Sequence, residues 1–147
     1  MIDKSHIGAV VSSHSVNVEA GRLRFFAKAT GQRDARYTDP AAAQDAGYPN
    51  LPVPPTFLFC LDMEAPNPRA TMDLLNIDIG KVLHGEQSFK YHQMAYAGDC
   101  LHFESRIVDI YDKKGGALEF VVRETRVTRQ SGELVAELRN SLVVRNG

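Results

Sequence analysis

Hydrophobic positions along this chain change period once, from a helical three-to-four spacing in the first half to strict alternation in the second. Residues Ile7 to Val18 alternate loosely through Val10, Val11, Val16 and Val18, which suits a short extended stretch leading into a helix. The first helix is predicted over Val18 to Thr30. Asn17 can cap it, Glu19 complements the positive end of its dipole, and Gly31 stands where a left-handed C-terminal cap belongs. Arg22, Phe25, Phe26 and Ala29 recur at helical spacing, so Phe25 and Phe26 are expected in the core and Arg24 and Lys28 in water. A second, short helix follows, with Asp39 as cap, Pro40 at its first position and Gly47 as its stop. Four prolines in the eight residues Tyr48 to Pro55 then hold the chain extended. From Pro55 to about Glu64, Phe57, Leu58, Phe59, Cys60, Leu61 and Met63 are apolar on every side, as in a helix enclosed by protein.

Something must enclose it, and the second half of the chain supplies the material. After a polar connection from Ala65 to Lys81, four long strands are predicted: Leu83 to His92, Asp99 to Tyr111, Ala117 to Thr128 and Glu133 to Arg145. In the first, Leu83, Gly85, Gln87, Phe89 and Tyr91 share the face expected to meet the core, and His84, Glu86, Ser88, Lys90 and His92 share the other. Leu101, Phe103 and Ile107 mark the core side of the second, Leu118, Phe120 and Val122 that of the third, and Leu134, Ala136, Leu138, Leu142 and Val144 that of the fourth. Glycines at 115 and 116 and the Ser131-Gly132 pair supply hairpin turns. The expected fold is α+β: one antiparallel sheet wrapped around one long apolar helix, the hotdog arrangement. A single open sheet leaves an exposed edge, so a dimer at least is expected.

Composition narrows the classes of function. The 147 residues fit a single domain spanning 1–147, long enough to bury roughly two-thirds of the surface of the unfolded chain. A net charge of -1 gives no electrostatic footprint for nucleic acid or an anionic membrane. The longest apolar run, Phe57 to Leu61, falls far short of the roughly 20 residues of a membrane span. Cys60 and Cys100 lack metal-ligand spacing, the five histidines are scattered, and no charged-then-apolar leader precedes the first polar residues. A reduced, cytoplasmic chain with no metal and no resident cofactor is expected.

Several short stretches then carry a resemblance: Phe26, Ala27 and Gly31, then Tyr48 with LPVPPTF at Leu51 to Phe57, LHGEQ at Leu83 to Gln87, and AGD at Ala97 to Asp99. In order and spacing they are similar to the MaoC-like family of (R)-specific enoyl-CoA hydratases and (3R)-hydroxyacyl dehydratases. In that family the first helix leads into a loop G-D-x-N-P-x-H whose Asp and His activate a water. Adding water across an enoyl thioester needs a base for the water, an acid for the alpha carbon and an amide donor for the enolate-like oxygen. Here the Asp position falls on Gln32, the Asn position on Asp34, the Pro position on Ala35 and the His position on Tyr37. Glutamine cannot act as a base, and tyrosine, with an ordinary pKa of about 10, is a poor one. Loss of an acid-base group costs on the order of 100- to 10,000-fold in rate.

The resemblance implies a chain like the half or subunit of that family that has lost the dyad and shapes the acyl tunnel. Its substrate would be a CoA or acyl-carrier thioester, and its partner either a second copy or a hotdog subunit bearing the dyad. Pro54 and Pro55 lack the amide hydrogens an oxyanion site would use, and Tyr37, Pro55, Thr56 and Phe57 become candidate substrate-binding residues. Two fallback arrangements stay open. His84 and Glu86, two apart on one predicted strand, are either a substitute acid-base pair or part of a polar outer face, and Asp34 with Tyr37 is a possible shifted pair. Three classes therefore stand: a substrate-shaping hydratase or dehydratase subunit, an autonomous lyase or thioesterase using His84, Glu86 or Asp34, and a non-enzymatic acyl-thioester binder.

Overall fold

A computed structural model describes residues 1–147. The chain runs β1 (Val10–Asn17), α1 (Ala20–Thr30), α2 (Pro40–Asp45), α3 (Phe57–Asp62), α4 (Ala70–Leu74), β2 (Val82–Tyr91), β3 (Cys100–Lys113), β4 (Leu118–Arg129) and β5 (Leu134–Arg145). The strands form one sheet in the order β1-β3-β4-β5-β2, with every pairing antiparallel. Alternating side chains of β3, β4 and β5 close over the helices: Leu101, Phe103, Val127, Ala136 and Leu138 pack with Leu23 of α1 and with Phe57, Leu58 and Leu61 of α3. The α+β hotdog expectation holds. No helix is long and apolar enough to cross a membrane.

The helices depart from the sequence reading in detail. The antiparallel ladder continues past β1 through the Val18 amide, which donates to the Asp99 carbonyl at 2.8 Å. The backbone is therefore still extended at Asn17, and the cap position passes to Glu19, whose side chain makes no capping bond. At the other end Gly31 caps as expected, with φ 71°, and the Gln32 amide returns to the Ala27 carbonyl at 2.9 Å. The buried stripe of α1 is Leu23 and Ala27, with Phe26 half-buried at its edge, whereas Phe25 is 74% exposed. Phe25 follows Arg24 around the helix and shares the outward side with it and Lys28, so it is not core. Asp39 caps α2 by accepting from the Ala41 amide at 3.0 Å, as predicted.

The central helix is neither long nor enclosed on every side. Its six residues bury Phe57, Leu58, Leu61 and Asp62, leave Phe59 and Cys60 half-buried, and are followed by Met63 at 47% exposure. Residues 55 and 56 form a turn closed by the Phe57 amide on the Pro54 carbonyl, so the helix proper starts only at Phe57.

Two strand faces also differ from expectation. A bulge between His84 and Glu86, opposite Leu142 and Ser141, inserts Gly85 into β2 and reverses side-chain parity. His84, Gln87, Phe89 and Tyr91 now share the helix-facing side, while Leu83 and Glu86 point the other way. As an edge strand with little above it, β2 half-buries only Val82 and Phe89. On β4 the core side carries Val121, Thr125 and Val127. Leu118, Phe120 and Val122 lie opposite, where Phe120 stacks on Tyr111 at 4.7 Å beneath Lys113. The expected core residues of β3 and of β5 from Ala136 onward are buried.

A polar layer separates the main core from a smaller one around Ile107, Ile110, Val121 and Leu142. The Ser105 and Thr125 hydroxyls are 2.5 Å apart. Arg123 donates to Asn140 Oδ1 at 3.2 Å and to the Thr71 hydroxyl at 3.1 Å. Nε2 of His14 lies 3.2 Å from the Leu61 carbonyl, and its ring stacks on Phe103. Asp62 is buried beside them. Loss of water pushes its carboxyl above the ordinary range, opposed by the charges of Arg123 and His14 and a hydrogen bond from Ser105.

Two stability measurements check this arrangement. A Cβ at Gly85 would meet Ser141 Oγ and Val143 Cγ2, each at 2.8 Å. Gly85→Val is therefore expected to lower stability by about 1 to 3 kcal/mol in denaturant titration. The second concerns Asp62, whose folded pKa lies above the ordinary 3.8, so the folded state holds a proton that the unfolded state releases. That contribution is present at and below the ordinary value and is lost as pH rises through the raised one. As pH rises above the ordinary value, stability of Asp62→Asn relative to wild type should rise, and parallel pH profiles would contradict the assignment.

Candidate functional site

The main concavity is a cavity of about 320 Å³ under the loop that follows α1, at the small end of the range for ligand sites. Four segments wall it. Tyr37 and Tyr48 come from either side of α2, Val53 and Pro55 from the proline stretch, Leu58 from α3, and Tyr91 to Ala95 (without His92) from the end of β2, with Val135 of β5 beneath.

Local backbone chemistry sets each wall. The proline stretch cannot form a helix, so it pairs instead: the Val53 amide donates to the Ala95 carbonyl at 2.8 Å and the Ala97 amide to the Leu51 carbonyl at 2.9 Å. This strap brings Pro55 and Leu58 opposite Tyr91. Gly47, at φ 91°, turns the end of α2 so that the Tyr48 amide reaches the Ala43 carbonyl and the Tyr48 ring comes to rest 5.9 Å from that of Tyr96. Arg129 braces the far rim from β4, donating to Gln93 Oε1 at 2.5 Å and to the Met94 carbonyl.

The loop that carries the sequence-predicted dyad positions is built by its own polar side chains. Gln32 Oε1 accepts from the Asp34 amide at 3.1 Å. Asp34 caps a single 3-10 turn, Ala35–Tyr37, by accepting from the Arg36 amide at 3.0 Å, and pairs with Arg36 Nε at 2.8 Å. Arg36 thereby holds the Asp34 carboxyl below its ordinary range. Asp34 in turn, with Tyr48 adding to it, raises Arg36 further. Tyr37 is half-buried and reaches the cavity wall.

The remaining sequence candidates fall in different places. Pro55 lines the cavity, Thr56 is exposed, and Phe57 is buried with its ring 5.0 Å from Phe26 and Arg22 above it. The Phe57 amide already donates to the Pro54 carbonyl at 3.0 Å. His84 and Glu86 are not brought together, because the Gly85 bulge sends them to opposite faces; His84 lies edge-on to Phe59 at 6.1 Å. A pairing that periodicity did not signal joins His92 to Glu137 at 2.9 Å, with the carboxyl held low by the imidazole, and neither residue lines the cavity.

The titratable groups on the cavity wall are phenols, those of Tyr37, Tyr48 and Tyr91. Partial loss of water against the cavity wall raises Tyr91 to about 12, so it stays protonated at neutral pH and serves as a hydrogen-bond donor rather than a base. Tyr91, Gln93, Met94 and Val135 were not legible as site residues, since the strap that joins residues 51–53 to 95–97 is a contact between distant parts of the chain.

Comparison with known proteins agrees with this fold. A family model described as "FAS1-like, dehydratase domain region" matches residues 5–138. A UPF0336 protein of Saccharopolyspora erythraea is 33% identical over 145 residues, covering 98% of this chain and 92% of that one. Another, from Thermobifida fusca, is 35% identical over 124 residues, covering 84% and 80%. Among solved structures, a chain of the C-terminally truncated HadBC (3R-hydroxyacyl-ACP dehydratase) complex from Mycobacterium tuberculosis superposes with a TM-score of 0.78 at 27% identity, covering 94% of this chain and 96% of that chain. A MaoC-like dehydratase superposes at 0.81 with 24% identity; this chain spans 96% of its own length and 42% of that protein, and the likeness is one of fold. With a family model over most of its length and relatives at this identity, the chain belongs to the FAS1-like dehydratase region family, on the hotdog fold of the MaoC-like dehydratases.

Proposed function

We propose that this chain is the substrate-shaping subunit of a hydratase or dehydratase acting on enoyl or 3-hydroxyacyl thioesters, and that a second hotdog chain with an intact Asp/His dyad supplies the acid and base. One observation carries the reading. An apolar cavity lies beneath the catalytic loop position of the family, and the side chains at that position, Gln32 and Asp34, are occupied in holding the loop while Tyr37 walls the cavity.

An acyl chain gains about 0.8 kcal/mol for each methylene it buries. Tyr37, Tyr48 and Tyr91 can hold the polar end by donating from their hydroxyls, while Val53, Leu58 and Val135 meet the hydrocarbon. No carboxylate or imidazole stands on that wall, which supports assigning the proton transfer to a partner's dyad brought to the rim. The open edges of the sheet, β1 and β2, each present unpaired peptide groups on which a second hotdog chain can add strands. The HadBC structure, named as a complex, supports pairing with a second chain on this fold.

The test is turnover of a panel of enoyl-CoA and enoyl-carrier thioesters by the pure chain and by its mixture with a dyad-bearing hotdog chain. Activity is expected only in the mixture, and full turnover by the pure chain would exclude the proposal. Alanine changes at His84 and Glu86 should leave the rate of the mixture within about twofold. Loss of activity on either change would favour an autonomous site instead.

A further inference from the structure

The exposed phenylalanine on α1 sits in the one part of the chain where positive charge is concentrated. From Ala20 to Tyr37 there are five cations, Arg22, Arg24, Lys28, Arg33 and Arg36, against the single carboxylate of Asp34, in a chain whose net charge is -1. The rest of the molecule is therefore acidic overall. Two of the five are already engaged, Arg22 with Glu64 and Arg36 with Asp34. Arg24, Lys28 and Arg33 are exposed and make no ion pair.

Helical spacing places Arg24, Phe25 and Lys28 on one outward surface. Leu23 and Ala27, on the opposite side, are fully buried, so α1 cannot roll to hide Phe25 without exposing them. Arg33 stands two residues after the Gly31 cap, on the loop whose Tyr37 reaches the cavity. An aromatic side chain left 74% exposed among unpaired cations has the composition of an interface anchor with a charged rim.

We propose that this face of α1 docks an acidic carrier protein, which presents the acyl thioester on its flexible arm to the adjacent cavity. The inference rests on the acyl-thioester reading of that cavity and adds the source of the substrate. Charge complementarity selects the partner: unpaired cations on a helix and its following loop meet carboxylates spread over a protein surface, and Phe25 meets an apolar residue among them. The phosphates of a nucleotide thioester such as CoA are compact and favour a concave site. Here the cations lie on the convex outside of a helix, and the larger cavities do not reach them.

The experiment measures binding of three probes to the full chain: an acidic acyl carrier protein loaded with a medium-chain acyl group, the same acyl group on CoA, and the same acyl group on pantetheine alone. They are compared for wild type, R24E/K28E and F25S, with melting temperature confirming that the surface variants remain folded. Both variants are expected to bind the loaded carrier about tenfold more weakly at low ionic strength, with a flatter salt dependence for R24E/K28E. Acyl-pantetheine should bind all three proteins alike. Unchanged carrier affinity in both variants would overturn the proposal, as would an equal loss for acyl-CoA, which would make the face a phosphate site. Failure of wild type to bind acyl-pantetheine would count against the cavity reading, whereas acyl-pantetheine binding without charge-dependent carrier binding would count against the docking face alone.

Discussion

Closure of the inner sheet face over Leu23, Leu58 and Leu61 is the constraint from which the rest of the structure follows. Each of the three is fully or almost fully buried, so α1 and α3 are fixed in rotation as well as position. With α3 held there, the proline stretch before it must lie along residues 95–97, and its backbone satisfies itself by pairing with them. The cavity is the space left between that strap, the end of β2 and the loop after α1. Side chains in a core packed at the density of an organic crystal admit little slippage, so the geometry of the walls follows from the core. The same burial that fixes α1 inward fixes Phe25 outward.

Much of this was legible in the sequence where local rules and burial agree. The caps at Gly31 and Asp39, the alternation of Leu101, Phe103 and Ile107, and the run from Ala136 to Val144 were read correctly because one local signal decided each of them. Three features were not legible, for different physical reasons. Gly85 reverses the faces of β2 through a bulge, and a bulge depends on how a strand meets its partner rather than on its own period. Leu118, Phe120 and Val122 alternate as a core face would, but the opposite set, Val121, Thr125 and Val127, is the one the helices cover. On α1, Leu23 and Ala27 lie on the side the sheet covers and Phe25 on the side facing water, so burial followed the helix face rather than the most hydrophobic residue.

At the site, the loop and two residues of the cavity wall, Tyr37 and Pro55, were named from the sequence, and the rest of the wall was not. Gln32 and Asp34 are spent on backbone amides of their own loop, and Tyr37 reaches the cavity wall. The wall contributed by Tyr91, Gln93, Met94 and Val135 arises only when the strap and β2 are assembled. Under the proposed function the loop keeps a structural task and the cavity a binding one. The proposed division of labour has one chain hold the hydrocarbon and a second hold the proton-transfer groups.

The most direct measurement of that division is where an acyl chain lies in the protein. An acyl-pantetheine carrying a photoreactive diazirine on its terminal carbons can be bound to the chain, irradiated, and the labelled peptides identified by mass spectrometry. Labelling should fall on residues 53–58 and 91–95 and be competed by the unmodified acyl-pantetheine. Labelling confined to the outer sheet face around Tyr111 and Phe120, or spread without competition, would contradict the assignment of the cavity as the acyl site.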